Sequence, residues 1–152
     1  MKKRIVVAAV LAVLMAASAY AQTKDFFELA KTGTPQQVQA AIDKGADVKA
    51  QDKSGRTALI WAATNNQNPE VITTLLKAGA DIKAQDKDGR TGLMWAARYN
   101  KVNPEVFIMA LLNVGADAKA KDKAGKTALD YAKDNENLQG TDALKKLEEA
   151  SK

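Results

Sequence analysis

The side chains in this chain with the most capacity for chemistry are its carboxylates and cations, and they recur at fixed intervals. Asp52, Asp86 and Asp122 are each followed four residues later by a cation, at Arg56, Arg90 and Lys126. Acid–base catalysis needs two carboxylates converging on one cleft. No second carboxylate stands at a matched spacing that suggests such a pair. The three aspartates instead open Asp-Lys-x-Gly, a strong turn sequence in which the carboxylate is expected to cap its own turn. The chain has neither histidine nor cysteine. That removes the usual general base, the commonest metal ligand and every histidine-activated nucleophile. No glycine-rich phosphate loop and no metal-ligand cluster is present in the sequence. Catalysis, a cofactor and a bound metal are therefore not expected, and disulfides cannot supply stability.

The elements that carry these residues repeat. Asp52-Lys-Ser-Gly-Arg-Thr-Ala-Leu, Asp86-Lys-Asp-Gly-Arg-Thr-Gly-Leu and Asp122-Lys-Ala-Gly-Lys-Thr-Ala-Leu stand 34 and then 36 residues apart. Gly45-Ala-Asp, Gly79-Ala-Asp and Gly115-Ala-Asp keep the same spacings. A period of this length marks a stack of supersecondary units, each packed mainly on its neighbours. Within a unit, Leu59, Ile60, Trp61, Ala62 and Ala63 predict a short, largely apolar helix. The polar stretch Asn65-Asn-Gln-Asn68 breaks it. Asn68 and Pro69 then suit the start of a second helix, with Asn68 as N-cap. Val71, Ile72, Leu75 and Leu76 form its apolar face, and Gly79 ends it. The next unit repeats the pattern with Trp95, Asn103-Pro104, Leu111-Leu112 and Gly115.

The ends are atypical. Phe26, Phe27, Leu29 and Ala30 open the first unit, and Thr34-Pro35-Gln36-Gln37 has the spacing of a capping box. In the last unit Thr141 is placed to cap a final helix with Leu144 and Leu147 inward and Lys145, Lys146, Glu148 and Glu149 outward. The units run 23–51, 52–85, 86–121 and 122–152, and 22–152 forms one domain.

A leader precedes them. Met1-Lys-Lys-Arg, an apolar run from Ile5 to Ala17, and Ala19-Tyr20-Ala21 are the parts of a secretory signal peptide over residues 1–21, with cleavage expected after Ala21. The apolar run is shorter than the roughly 20 residues of a membrane-spanning helix. A periplasmic or secreted location follows, with no membrane insertion after cleavage. The leader holds three of the 23 cations and none of the 18 acids. The remainder is thus near charge balance, which weakens any argument for nucleic acid from the net charge of +5.

Asp-x-x-Gly-x-Thr-x-Leu-x-x-Ala, a polar break, an apolar helix and Gly-Ala-Asp together resemble the ankyrin repeat. Asp52–Asp81 and Asp86–Asp117 carry nearly all of the pattern, Ala30–Asp47 its second half and Asp122–Ala132 its first. The family's Thr-Pro-Leu-His reads Thr57-Ala-Leu-Ile60, Thr91-Gly-Leu-Met94 and Thr127-Ala-Leu-Asp130, without proline or histidine each time. The third unit holds an extra residue near Phe107-Ile108-Met109. The resemblance implies an all-α solenoid of stacked helix pairs joined by projecting β-turn or hairpin loops.

It also implies protein binding through the turn tips and the exposed side of the first helices. The corresponding tips are Lys53, Ser54 and Arg56, then Lys87, Asp88 and Arg90, then Lys123, Ala124 and Lys126. The helix positions are Thr64 and Asn65, Arg98 and Tyr99, and Asp134 and Asn135. One cation spacing repeated per unit lines up a basic stripe, suited to a protein with an acidic surface. Nucleic acid is not expected, since the stripe lacks interleaved aromatics. Trp61, Trp95 and Tyr131, which occupy one place in successive units, are expected in the inter-repeat core, and Phe26 and Phe27 in the packing of the first unit. A monomer is expected. The leading function is a non-catalytic envelope module that scaffolds or protects a partner protein. The alternative is an inhibitor or immunity protein that occludes a co-exported enzyme such as a peptidase.

Overall fold

A computed structural model describes residues 15, 18 and 21–152. The leader read from residues 1–21 therefore lies almost wholly outside the described residues. From residue 21 the chain is helical to residue 32 (α1). There follow α2 (Pro35–Asp43), α3 (Ala58–Asn65), α4 (Glu70–Lys77), α5 (Gly92–Tyr99), α6 (Pro104–Asn113), α7 (Ala128–Lys133), a 3₁₀ turn (Glu136–Leu138) and α8 (Asp142–Ala150). No strand forms among the described residues; an isolated antiparallel bridge joins Gln85 and Thr91. The architecture is an all-α solenoid of helix pairs with turns projecting between them.

Local sequence sets each boundary. Thr57, Thr91 and Thr127 are the N-caps of α3, α5 and α7, each hydroxyl accepting the amide three residues on. Such a cap contributes about 1 kcal/mol. Thr34 and Gln37 close a capping box on α2, and Thr141 caps α8. One expected cap shifts: Pro69 rather than Asn68 is the N-cap of α4, while Asn68 Oδ1 accepts the Glu70 amide at 2.9 Å. The helices end where Gly45, Gly79 and Gly115 take φ near +90°, a conformation that costs side-chain-bearing residues about 1–2 kcal/mol.

The first helices of the units stack α3 on α5 on α7, and each is paired with its own second helix or C-terminal turn. Leu59, Ile72, Leu75, Leu93, Ile108, Leu111 and Leu147 are at most 1% exposed, and burying each contributes roughly 2 kcal/mol. Alanines 58, 62, 63, 96, 97, 128 and 132 are also buried. Their small side chains let the first helices approach closely. At the C-terminal end α8 buries Ala143 and Leu147 and exposes Lys145, Lys146, Glu148 and Glu149. A stack with no further neighbour needs that polar outer face.

Candidate functional site

Each projecting turn is built around one aspartate. Asp52 Oδ1 accepts the Ser54 and Arg56 amides at 2.8 and 3.0 Å, which closes the turn. Its Oδ2 accepts Arg56 Nε at 2.8 Å and the indole N–H of Trp61 at 3.2 Å. Asp86 repeats this with the Asp88 and Arg90 amides, Arg90 Nε and Trp95 Nε1, all at 2.8–2.9 Å. Asp122 takes the Ala124 and Lys126 amides at 2.9 Å, and its second oxygen accepts the Tyr131 hydroxyl. Trp95 and Tyr131 are buried as expected, whereas Trp61, expected in the core, is half-buried and faces the groove beside the first turn; the polar ends of all three tie the helices to the turns.

These bonds redirect two expected tip cations. Arg56 and Arg90 fold back onto their own aspartates, with side chains only 24% and 18% exposed. The Arg56 guanidinium lies 3.9 Å from the Trp61 centroid and 5.6 Å from that of Trp95, and Arg90 lies 4.6 Å from Trp95. Arg98 stands 4.9 Å from both Tyr99 and Tyr131, and Tyr99 stacks on Trp95 with centroids 4.6 Å apart. Cations over rings at these distances contribute about 0.5–2 kcal/mol each, more as the site is desolvated. Arg56 thus bridges its own repeat to the ring of the next, and Arg90 braces its own turn and Trp95. Lys53, Lys87, Lys123 and Lys126 remain exposed, as do Ser54, Asp88 and Ala124.

The backbone fixes these tips in a row. Lys87 N–H donates to Ser54 O and Lys123 N–H to Asp88 O, both at 2.9 Å. Each turn therefore hydrogen-bonds to the one before it. Gly55 and Gly89 sit at the crossings with φ near +78°, where an added Cβ would lie 3.0–3.1 Å from the lysine amide of the next turn.

The helix positions named from the sequence divide. Asn65 and Arg98 are exposed and Tyr99 half-buried. Thr64 does not face outward: it is 8% exposed and its hydroxyl donates to Ile60 O at 2.7 Å. Asn135 is likewise turned inward, its amide donating to Ala97 O at 2.8 Å, while Asp134 is exposed. That inward asparagine belongs to a series not recognised in the sequence. Asn66 donates to Ala30 O and Gly33 O, and Asn100 to Ala63 O. Each staples a repeat to the end of the preceding first helix. The available signal was the spacing of Asn66, Asn100 and Asn135, 34 and then 35 residues, which follows the repeat period to within one residue.

Among the described residues no group of three or more acidic, histidine or cysteine side chains is arranged to hold a metal ion. Nor is any helix long and apolar enough to cross a membrane. The site is a surface of turn tips on a rigid spine. The family model for ankyrin repeats in three copies matches residues 26–86 and 65–151.

The chain belongs to the ankyrin-repeat family.

A comparison with curated proteins gives no significant match. Ankyrin repeats are generally protein–protein interaction modules and typically non-catalytic. The ankyrin turns here show how the charges are spent. Burial alone would raise the pKa of Asp52. The Arg56 and Ser54 amides and the Arg56 guanidinium outweigh it and hold the carboxyl below its ordinary range. Asp122 is lowered in the same way, burial being overcome by the Tyr131 hydroxyl and two backbone amides. Tyr131 is raised, first by burial and then by its bond to Asp122.

These shifts set a pH profile. The depressed carboxylates contribute stability that is present above their unfolded value near 4 and is lost as pH falls through the folded values. The raised Tyr131 contributes stability that is full below about pH 10 and is lost as pH rises through its folded value. With no histidine, no side chain has an ordinary pKa near neutrality. Melting temperatures are expected to be flat between about pH 5 and 9 and to fall on both sides. Thermal melts followed by circular dichroism across that range check this.

Proposed function

We propose that this ankyrin stack is an exported, non-catalytic module of the cell envelope that scaffolds or protects a partner protein through its row of turn tips. The observation that carries the reading is the tip row itself. Backbone bonds from Lys87 to Ser54 and from Lys123 to Asp88 hold three exposed lysine tips in fixed order. Preformed tips lose little conformational freedom on binding, which favours affinity. Regularly spaced lysines, with Asp52, Asp86 and Asp122 engaged inside their own turns and Asp88 as the exposed acid of the tips, suit an acidic protein surface, chiefly through association rate and specificity.

Export is supported by the basic start, short apolar run and Ala19-Tyr20-Ala21 site. Expression of the full chain with fractionation and intact mass measurement tests it. A species in the envelope fraction beginning at Gln22 is the expected product. A full-length cytoplasmic chain would sink the location. Capture of partners from the same fraction, followed by assay of the captured protein's own activity with and without the chain, separates scaffolding from occlusion of an enzyme. Unchanged or prolonged activity supports the scaffold; inhibition supports the inhibitor reading.

A further inference from the structure

Among the described residues the row of turns begins at the turn of Asp52–Arg56. Each of the later turns gives its lysine amide to a carbonyl of the turn before it, Lys87 to Ser54 and Lys123 to Asp88. Lys53 occupies the same position in the first turn, but no described turn precedes it, and its amide meets no partner among the described residues. In place of a preceding turn there is a groove of about 640 Å³ between α1 and the Ala50–Arg56 turn. Phe27 and the half-buried Trp61 line it, with Lys24 and Lys53 exposed on its rim.

The charges around the groove select an occupant. Asp52 is fully engaged by Arg56, Trp61 and its own turn, and Glu28 stands 3.8 Å from Lys31. Among the described residues Lys24 and Lys53 form no ion pair. A second copy could offer its own last turn, whose outer edge is open beside Gly125. That docking would leave Lys24 and Lys53 without acidic partners, as Lys87 beside Lys53 supplies none within the row, whereas an acidic segment provides them. We propose that the groove beside the first turn is a docking slot for an extended acidic segment of the partner protein, whose carbonyl accepts the Lys53 amide as Ser54 O accepts that of Lys87. Alternate side chains of such a segment point to opposite faces. Apolar ones reach Phe27 and Trp61 while carboxylates meet Lys24 and Lys53, as in other cases of strand addition.

The proposal rests on the reading that the tip row takes a protein partner, and its test isolates the slot. The probe is a labelled, end-blocked eight-residue peptide alternating aspartate and leucine, titrated by anisotropy into protein expressed from the full chain. Nitrogen-15 spectra recorded alongside follow the Lys53, Lys87 and Lys123 amides. Binding with a shift confined to Lys53 among the three is expected. Lys53→Pro removes both amide and charge at the second position of a turn, where proline fits. It is expected to weaken binding roughly tenfold or more with an unchanged melting temperature, because the amide bonds nothing in the free protein. Lys53→Gln keeps the amide and is expected to fall in between. Binding that Lys53→Pro leaves unaltered, or that shifts Lys87 and Lys123 instead, overturns the slot while leaving the tip-row reading standing. Absence of peptide binding, or concentration-dependent self-association that competes with the peptide, also overturns it.

Discussion

Replacing Asp86 with alanine is expected to lower stability by about 3 kcal/mol, the usual scale for breaking a buried ion pair. Its side chain is 1% exposed and accepts four hydrogen bonds, from two backbone amides, Arg90 Nε and Trp95 Nε1. Alanine opens the turn, strands the indole N–H and leaves a partly buried guanidinium with only Asp88 as an acid partner. Asparagine is no rescue, because its amide would set a donor against two donors. For a domain of this size the change is expected to lower the melting temperature by roughly 10 °C. Denaturant unfolding measures it. Trp95→Phe removes the N–H together with the five-membered ring of the indole, so a double-mutant cycle with Asp86→Ala measures the coupling of the two side chains, packing included. An Asp86→Ala protein as stable as the parent would mean the turn is held by backbone alone.

Asn100→Ala is expected to be the second most damaging change, at roughly 2 kcal/mol. Asn100 is fully buried; its amide bonds Ala63 O at 3.0 Å, and its carbonyl accepts the Val102 and Asn103 amides at 3.1 and 2.9 Å. Val102 and Asn103 are exposed, so water replaces their lost bonds. The loss of the bond to Ala63 O has no such remedy. Asn135, half-buried, donates to Ala97 O and accepts the exposed Asn137 amide at 3.0 Å; its partial burial should make truncation cost less. Chemical denaturation of Asn66→Ala, Asn100→Ala and Asn135→Ala should therefore rank the terminal staple mildest. Equal losses at Asn100 and Asn135 would show that burial of the staple does not set its contribution.

The fold was legible because its signals are local. Thr57, Thr91 and Thr127 before apolar runs, Pro69 and Pro104 after polar breaks, and Gly79 and Gly115 after apolar helices each mark a boundary through backbone chemistry alone. The repeat period then supplied the stacking. What the sequence did not disclose depends on which partner a side chain finds after stacking. Arg56 and Lys53 are both cations on one turn, yet Arg56 alone can lie flat on Trp61 while bonding Asp52. That choice rests on a contact nine residues along the chain, between Asp52 and Trp61. The stripe read from six tip cations is accordingly narrower, carried by lysines.

The asparagines escaped notice for a different reason. A polar residue in a polar break reads as solvent-facing, and only its recurrence near the repeat period marks it as turned inward. Thr64 failed in the opposite sense: its hydroxyl satisfies itself on the preceding turn of its own helix and so tolerates burial. Phe27 gives a further case. It stands 34 residues before Trp61, which makes it the first rung of the aromatic series. With no described turn above it, it lines the groove beside the first turn.

The central claim is that exposed lysine tips on a rigid row form the binding surface. Reversing Lys53, Lys87 and Lys123 together to glutamate tests it most directly, with affinity for the captured partner measured by calorimetry and folding by thermal melting. The expected result is an unchanged fold with affinity reduced roughly a hundredfold or more, mostly through slower association at low salt. Undiminished affinity in a folded triple variant would contradict the account.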